Sequence, residues 1–177
     1  MITKIRLQNW KSFKDSTIYI DSLGILIGTN ASGKSNVLDA FAFLRSVGEG
    51  KSLLDAIQTV RGGEDWIIRR GENTFCLELE VENEGSSYLL DLRVIRKDSV
   101  FSYGPCEIHR IGIGDDDVVP GKFMDSARNI LWKTYGVSES LDFWAKIYAT
   151  FRNIIILDPV PAKMRDYCKI SKELKSD

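Results

Sequence analysis

The octet Gly28-Thr29-Asn30-Ala31-Ser32-Gly33-Lys34-Ser35 constrains this chain more than any other stretch. It has the spelling G-x-x-x-x-G-K-S and stands between an apolar run, Leu23 to Ile27, and a helical pattern beginning after Asn36. Strand, glycine-rich loop and helix in that order are the context of a phosphate-binding loop. Glycines let the backbone curl until successive N–H groups point at phosphate oxygens, and the N-terminal end of the helix adds its partial positive charge. Lys34 is expected to reach the β- and γ-phosphates and to serve catalysis there, and the Ser35 hydroxyl to ligate Mg²⁺. A strand feeding such a loop is buried on both faces and nearly all apolar, which Leu23 to Ile27 satisfies.

The flanking chain supplies the rest of an α/β lobe. Ile2, Ile5 and Leu7 predict a strand to about Gln8, Asn9 to Ser16 a polar turn holding Trp10 and Phe13, and Thr17 to Ile20 a second strand. Two strands ahead of the loop predict an antiparallel edge beside a parallel core. The helix from Gly33 to Val47 carries Val37, Ala40, Phe41 and Leu44 on one side, and Gly48-Glu49-Gly50 stops it. Ser52 to Val60 is a second helical candidate, ended by Arg61-Gly62-Gly63-Glu64-Asp65.

Thereafter the period changes. Phe75, Leu77, Leu79 and Val81 alternate with Cys76, Glu78, Glu80 and Glu82, the mark of a half-buried strand with an acidic outer face. Ser87 to Arg96 returns from a turn, and Ser99 to Arg110 makes a third strand, interrupted at Gly104-Pro105 as an edge or a bulge would be. Ile111 to Gly121 reads as a loop whose Asp115-Asp116-Asp117 is a solvated tip or a cation site. From Asp125 the pattern is helical, with Ser138 starting a second helix whose Trp144, Tyr148 and Phe151 pack against the sheet. Asn153 to Asp158 is an apolar strand ending in an acid, with two readings: a Walker B carboxylate beside the phosphate loop, or an Asp-Pro turn. The expected organisation is one nucleotide-binding lobe: residues 1–60 as phosphate-loop core, 61–124 as antiparallel meander, 125–177 as helices with a C-terminal strand and helix.

Net charge of −1 and a pI of about 5.9 give no global basic field for nucleic acid, leaving only a local patch. Cys76, Cys106 and Cys168 form no C-x-x-C pair and argue for a reduced, cytoplasmic setting. His109, the only histidine, leaves no pair of imidazoles for a metal and reads as structural. No run approaches the ~18 apolar residues of a membrane span.

With its neighbour Asn36, the octet resembles the G-x-N-x-S-G-K-S-N form of ABC-type ATPase heads in the SMC, RecF and OLD lineage. Leu7-Gln8-Asn9-Trp10-Lys11-Ser12-Phe13 is similar to the "hxNF+SF" opening of the same heads, with Trp10 in place of the usual Phe. Arg69-Arg70-Gly71-Glu72 before the meander, and Ile156-Leu157-Asp158-Pro159 with Met164-Arg165, resemble bacterial AAA-family or OLD-like ATPases. The resemblance implies a P-loop NTPase lobe, with a mixed sheet, that binds ATP and Mg²⁺. Its nucleotide contacts would come from Lys11, Ser12, Gly28, Asn30, Ala31, Ser32, Gly33, Lys34, Ser35 and Asn36. It further implies homodimerisation of two heads around ATP, with DNA and an effector protein as partners in repair, recombination or phage defence.

The sequence departs from such heads in having no recognisable signature segment, Walker B glutamate, D-loop or switch histidine, and Pro159 stands where the glutamate would be. The expectation is therefore an N-terminal lobe that binds nucleotide and hardly hydrolyses it unless a further half or partner completes it. The competing reading is a self-contained P-loop kinase acting on a nucleotide or small molecule, with Asp158 as metal carboxylate and Arg61, Arg69 and Arg70 as lid arginines.

Overall fold

The computed structural model describes residues 1–21, 25–83, 85–111, 118–121 and 139–156. In chain order these form β1 (Ile2–Trp10), β2 (Phe13–Tyr19), α1 (Lys34–Gly48), α2 (Leu53–Gln58), α3 (Gly63–Trp66) and β3 (Thr74–Asn83). There follow β4 (Ser86–Lys97), β5 (Val100–Tyr103), β6 (Cys106–Ile111), β7 (Val118–Gly121) and α4 (Glu139–Arg152). The α/β class holds. The strands make one sheet in the order β2-β1-β3-β4-β6-β7, with β5 also on β4. A mixed sheet was expected, yet every pairing among the described residues is antiparallel. Because β1 pairs with both β2 and β3, the N-terminal strands and the meander share this sheet.

Alternation builds its core face. Ile5 faces Leu79 and Leu7 faces Leu77 across β1 and β3, while Leu77 faces Leu92 and Leu79 faces Leu90 across β3 and β4. All six side chains are fully buried. The opposite face carries paired charge, with Arg6 donating to Asp15 at 2.8 Å and lying 3.4 Å from Glu78, and Lys4 lying 3.5 Å from Glu78. α1 covers the apolar face through Trp10, Phe43 and Phe75, whose ring centroids stand 5.0 to 5.8 Å apart in tilted and edge-on pairs.

Several expectations are corrected. The turn predicted over Asn9 to Ser16 is only Lys11-Ser12, since β1 runs through Trp10 and β2 begins at Phe13. The aromatics are sheet residues because burial of Trp10 extends the strand to the corner. Ile25 to Ile27, expected as the described end of a buried strand, lies outside any strand and is exposed. Both edges of β1 are already taken, and Ile25 to Ile27 pair with no described strand. The broken third strand is two strands, β5 and β6, which occupy different stretches of β4 (β5 beside Val94–Lys97, β6 beside Ser87–Leu90) on either side of Gly104-Pro105. Val118–Gly121, assigned to a loop, pairs with β6; Asp115-Asp116-Asp117 lies outside the described residues.

In α4, Phe151 meets α1 at Gly48, where an added Cβ would stand 2.6 Å from the Phe151 Cβ, and it belongs to the same core cluster as the apolar sheet face. Asn153 to Ile156 is a turn and irregular chain, not a strand, and Ile155 is exposed. Asp158 lies outside the described residues. So does the segment after it.

Candidate functional site

The loop from Gly28 to Gly33 leads directly into α1. Gly33 is the residue preceding the first helical turn and sits at φ +94°, a left-handed conformation that glycine alone adopts without strain. Ala31 also has positive φ, 65°, so the backbone reverses twice within the loop. A Cβ at Gly28 would stand 2.6 Å from the Ser32 Oγ, which shows how tightly the loop closes on itself. No side chain caps the helix, and no acidic residue sits in its first turn. Its free N–H donors and partial positive charge therefore face outward for an anion.

Lys34 curls back over this loop. Its Nζ donates to the carbonyls of Gly28 at 2.6 Å and Thr29 at 2.7 Å, and reaches the Ser32 Oγ at 3.2 Å. The ammonium thus stands within the loop. Asn30, Ser32 and Ser35 are exposed. The Ser35 hydroxyl is therefore open to a metal whose other ligands are water and phosphate oxygen. A Mg²⁺ site of that kind fits the donor set, since Mg²⁺ needs few protein oxygens. Among the described residues no cluster of three or more His, Cys, Asp or Glu offers an alternative metal cage.

The β1–β2 turn is riveted to α1. Trp10 donates its indole N–H to the Asn36 carbonyl at 2.8 Å, and the Asn36 amide donates to the Ser12 hydroxyl at 2.8 Å. Phe13 lies against Gly33. Lys11, at φ 51°, turns its ammonium inward to an ion pair with Asp39 and donates to the Arg61 carbonyl at 2.8 Å. Arg61 binds the same carboxylate through Nε at 2.9 Å and the Ser35 carbonyl at 2.6 Å.

The structure therefore brings together every residue from Gly28 to Asn36 with Lys11 and Ser12. Asp39 and Arg61 are additional members of this cluster. Sequence patterning passed over Asp39 because a single acid within an amphipathic helix looks solvated; its place four residues after Ser35, on the same helix face, was the available signal. Arg69 hydrogen-bonds through its backbone N–H to Asn9 at 2.8 Å, beside β1.

The sequence matches the family described as AAA ATPase domain over residues 1–153. The chain belongs to that family. This AAA ATPase domain is 34% identical over 113 residues to the DNA double-strand break repair Rad50 ATPase of Thermoplasma volcanium, a match covering 63% of the chain and 11% of the relative. It is 26% identical over 175 residues to the protein of the same name from Sulfolobus acidocaldarius, covering 98% of the chain and 17% of the relative. Over 53 residues it is 42% identical to the chromosome partition protein Smc of Methanococcus voltae, covering 29% of the chain and 4% of the relative. The domain thus spans less than a fifth of the length of these relatives, and it is similar to the N-terminal lobe of SMC-like and Rad50-like ABC-type ATPases. No helix among its described residues is long and apolar enough to cross a membrane.

Proposed function

We propose that this AAA ATPase domain is the nucleotide-binding lobe of a DNA-associated ABC-type ATPase, holding ATP and Mg²⁺ at residues 28–36. The observation that carries the reading is the position of Lys34, whose ammonium lies within 2.6 to 3.2 Å of three oxygens of a loop that ends at an uncapped helix. Triphosphate would exchange those carbonyl contacts for charge-assisted bonds to Lys34 and the loop N–H groups. Ser35 would help hold a Mg²⁺ ion, which would offset the phosphates' negative charge.

Nucleotide acts in this reading as a switch: two heads close on ATP, and hydrolysis releases them. The names of the relatives support repair of DNA breaks as the setting. Recombination and phage defence, with an effector protein, are the other settings in which such heads serve. Hydrolysis also needs a positioned water and charge on the γ-phosphate, duties that the phosphate loop alone does not discharge. The 177-residue chain is accordingly a binder first.

Calorimetric titration with ATP and Mg²⁺ tests this. Wild type should bind, and Lys34→Ala should lose most of the affinity while keeping its circular dichroism spectrum. Equal ATP affinity in the two folded chains would overturn the assignment. Phosphate release should stay well below the ~1 s⁻¹ lower end of ordinary enzymes; faster release abolished by Lys34→Ala would make the chain a complete enzyme.

A further inference from the structure

Asp39 is a buried carboxylate with two cations and no role in the phosphate loop itself. Its side chain is 7% exposed, that of Lys11 9%, and that of Arg61 61%. Lys11 comes from the β1–β2 turn, Asp39 from the second turn of α1, and Arg61 from the link between α2 and α3. The carboxylate is the one side chain that binds both cations, Lys11 through one oxygen and Arg61 through the other. One negative charge facing two positive charges leaves a surplus of one. Burial assigns the neutralised share to Lys11, so the unspent charge resides on Arg61, whose guanidinium also grips the Ser35 carbonyl at 2.6 Å.

We propose that Asp39 is a positioning residue of the nucleotide site, anchoring Lys11 and Arg61 so that the exposed Arg61 guanidinium presents a second cation, beside Lys34, to the phosphates of bound nucleotide. A long arginine on a glycine-flanked link loses considerable side-chain entropy when it is held in place. The carboxylate and the Ser35 carbonyl bear that cost before the ligand arrives, because the planar fork uses Nε and one terminal nitrogen on them. The side chain is 61% exposed, and its other terminal nitrogen is the group assigned to phosphate. Lys11, the more buried partner, shares the carboxylate, so Asp39 does not neutralise Arg61 completely.

The proposal rests on residues 28–36 being the nucleotide site, and the sign of one mutational effect isolates it. A carboxylate that is merely nearby repels phosphate, so its removal tightens binding; a carboxylate that places a cation does the reverse. Titrating the full chain with ATP and Mg²⁺, Asp39→Asn should weaken binding about tenfold despite removing a negative charge, and Arg61→Gln should do so equally. The double variant should remain near tenfold rather than about a hundredfold, because residues acting as one unit are not additive. Unchanged or tighter binding by Asp39→Asn, or multiplying effects in the double variant, would overturn the proposal. If Asp39→Asn does not fold, the exposed Arg61 carries the test: Arg61→Lys keeps the charge, lacks the fork, and should bind as weakly as Arg61→Gln, whereas wild-type affinity in Arg61→Lys would overturn it. Wild type failing to bind ATP would instead overturn the nucleotide site itself.

Discussion

A Cβ placed on Gly33 would lie 2.7 Å from the Cζ of Phe13, so the first residue of β2 closes directly over the last residue of the phosphate loop. Sheet corner and loop are thereby one packed unit, and the identity of each residue limits the other. Gly33→Ala should consequently suffer twice. The left-handed backbone costs an alanine about 1–2 kcal/mol, and the ring contact adds to it. Phe13→Leu in the same chain should recover only the contact share. Urea unfolding midpoints of the two variants and their combination would separate the shares; full recovery would show that the backbone carries no strain.

Trp10 is the second rivet, joining core packing to the loop through its indole N–H. Trp10→Phe keeps an aromatic core but loses the bond to the Asn36 carbonyl, which retains its partner within the helix, at a cost of about 0.5–1.5 kcal/mol. Trp10→Ala also opens a cavity between Phe43 and Phe75 and should cost about 3–5 kcal/mol. Chemical denaturation of the variants measures both, and a Trp10→Phe chain as stable as wild type would mean the bond contributes nothing.

Cys76 is held as a neutral thiol. Burial pushes its ionisation well above the ordinary range, and the hydrogen bond it donates to Asp91 at 2.7 Å, together with that carboxylate's charge, pushes it further. Because the folded value is raised, the stabilisation is fully present below the unfolded thiol pKa of about 8.5 and is lost as pH rises above it toward the folded value. Stability of wild type relative to Cys76→Ser should fall between about pH 8.5 and 10.5. In the native chain at pH 8, peptide mapping after brief alkylation should find Cys76 unmodified; rapid modification there would contradict its burial.

Gly48 sets the approach of α4 to α1. A Cβ there would meet the Arg152 backbone nitrogen at 2.5 Å and the Phe151 Cβ at 2.6 Å. Overpacking of this kind costs about 1–3 kcal/mol, more than alanine's helical preference returns at a last turn. Gly48→Ala should lower the melting temperature and speed amide exchange in α4. Unaltered exchange would show that the helices separate without loss.

Patterns local in sequence were readable in advance. The octet, α1 with Val37, Ala40 and Leu44 on its buried side, and the alternation of β3 each depend on spacing within one element. What escaped depends on neighbours brought from afar. Phe43 is buried because Trp10 and Phe75 meet it, and Asp39 is buried because Lys11 and Arg61 neutralise it; neither fact is encoded in the helix alone. Ile25 to Ile27 likewise lack a ladder partner among the described strands. Their composition was right for a strand.

The pairing of Ile5 with Leu79 has a kinetic consequence. β1 and β3 are adjacent in the sheet, yet the phosphate loop and α1, α2 and α3 all lie between them in the chain. Closing so long an excursion sacrifices chain entropy before any ladder bond returns it, and non-local pairings of this kind slow folding. During synthesis β1 has only β2 to pair with until β3 emerges, by which time every residue of the phosphate loop is already outside. The central strands therefore pair only after the whole phosphate loop and its helix have been synthesised, and closing them brings the two ends of that segment together side by side in the sheet.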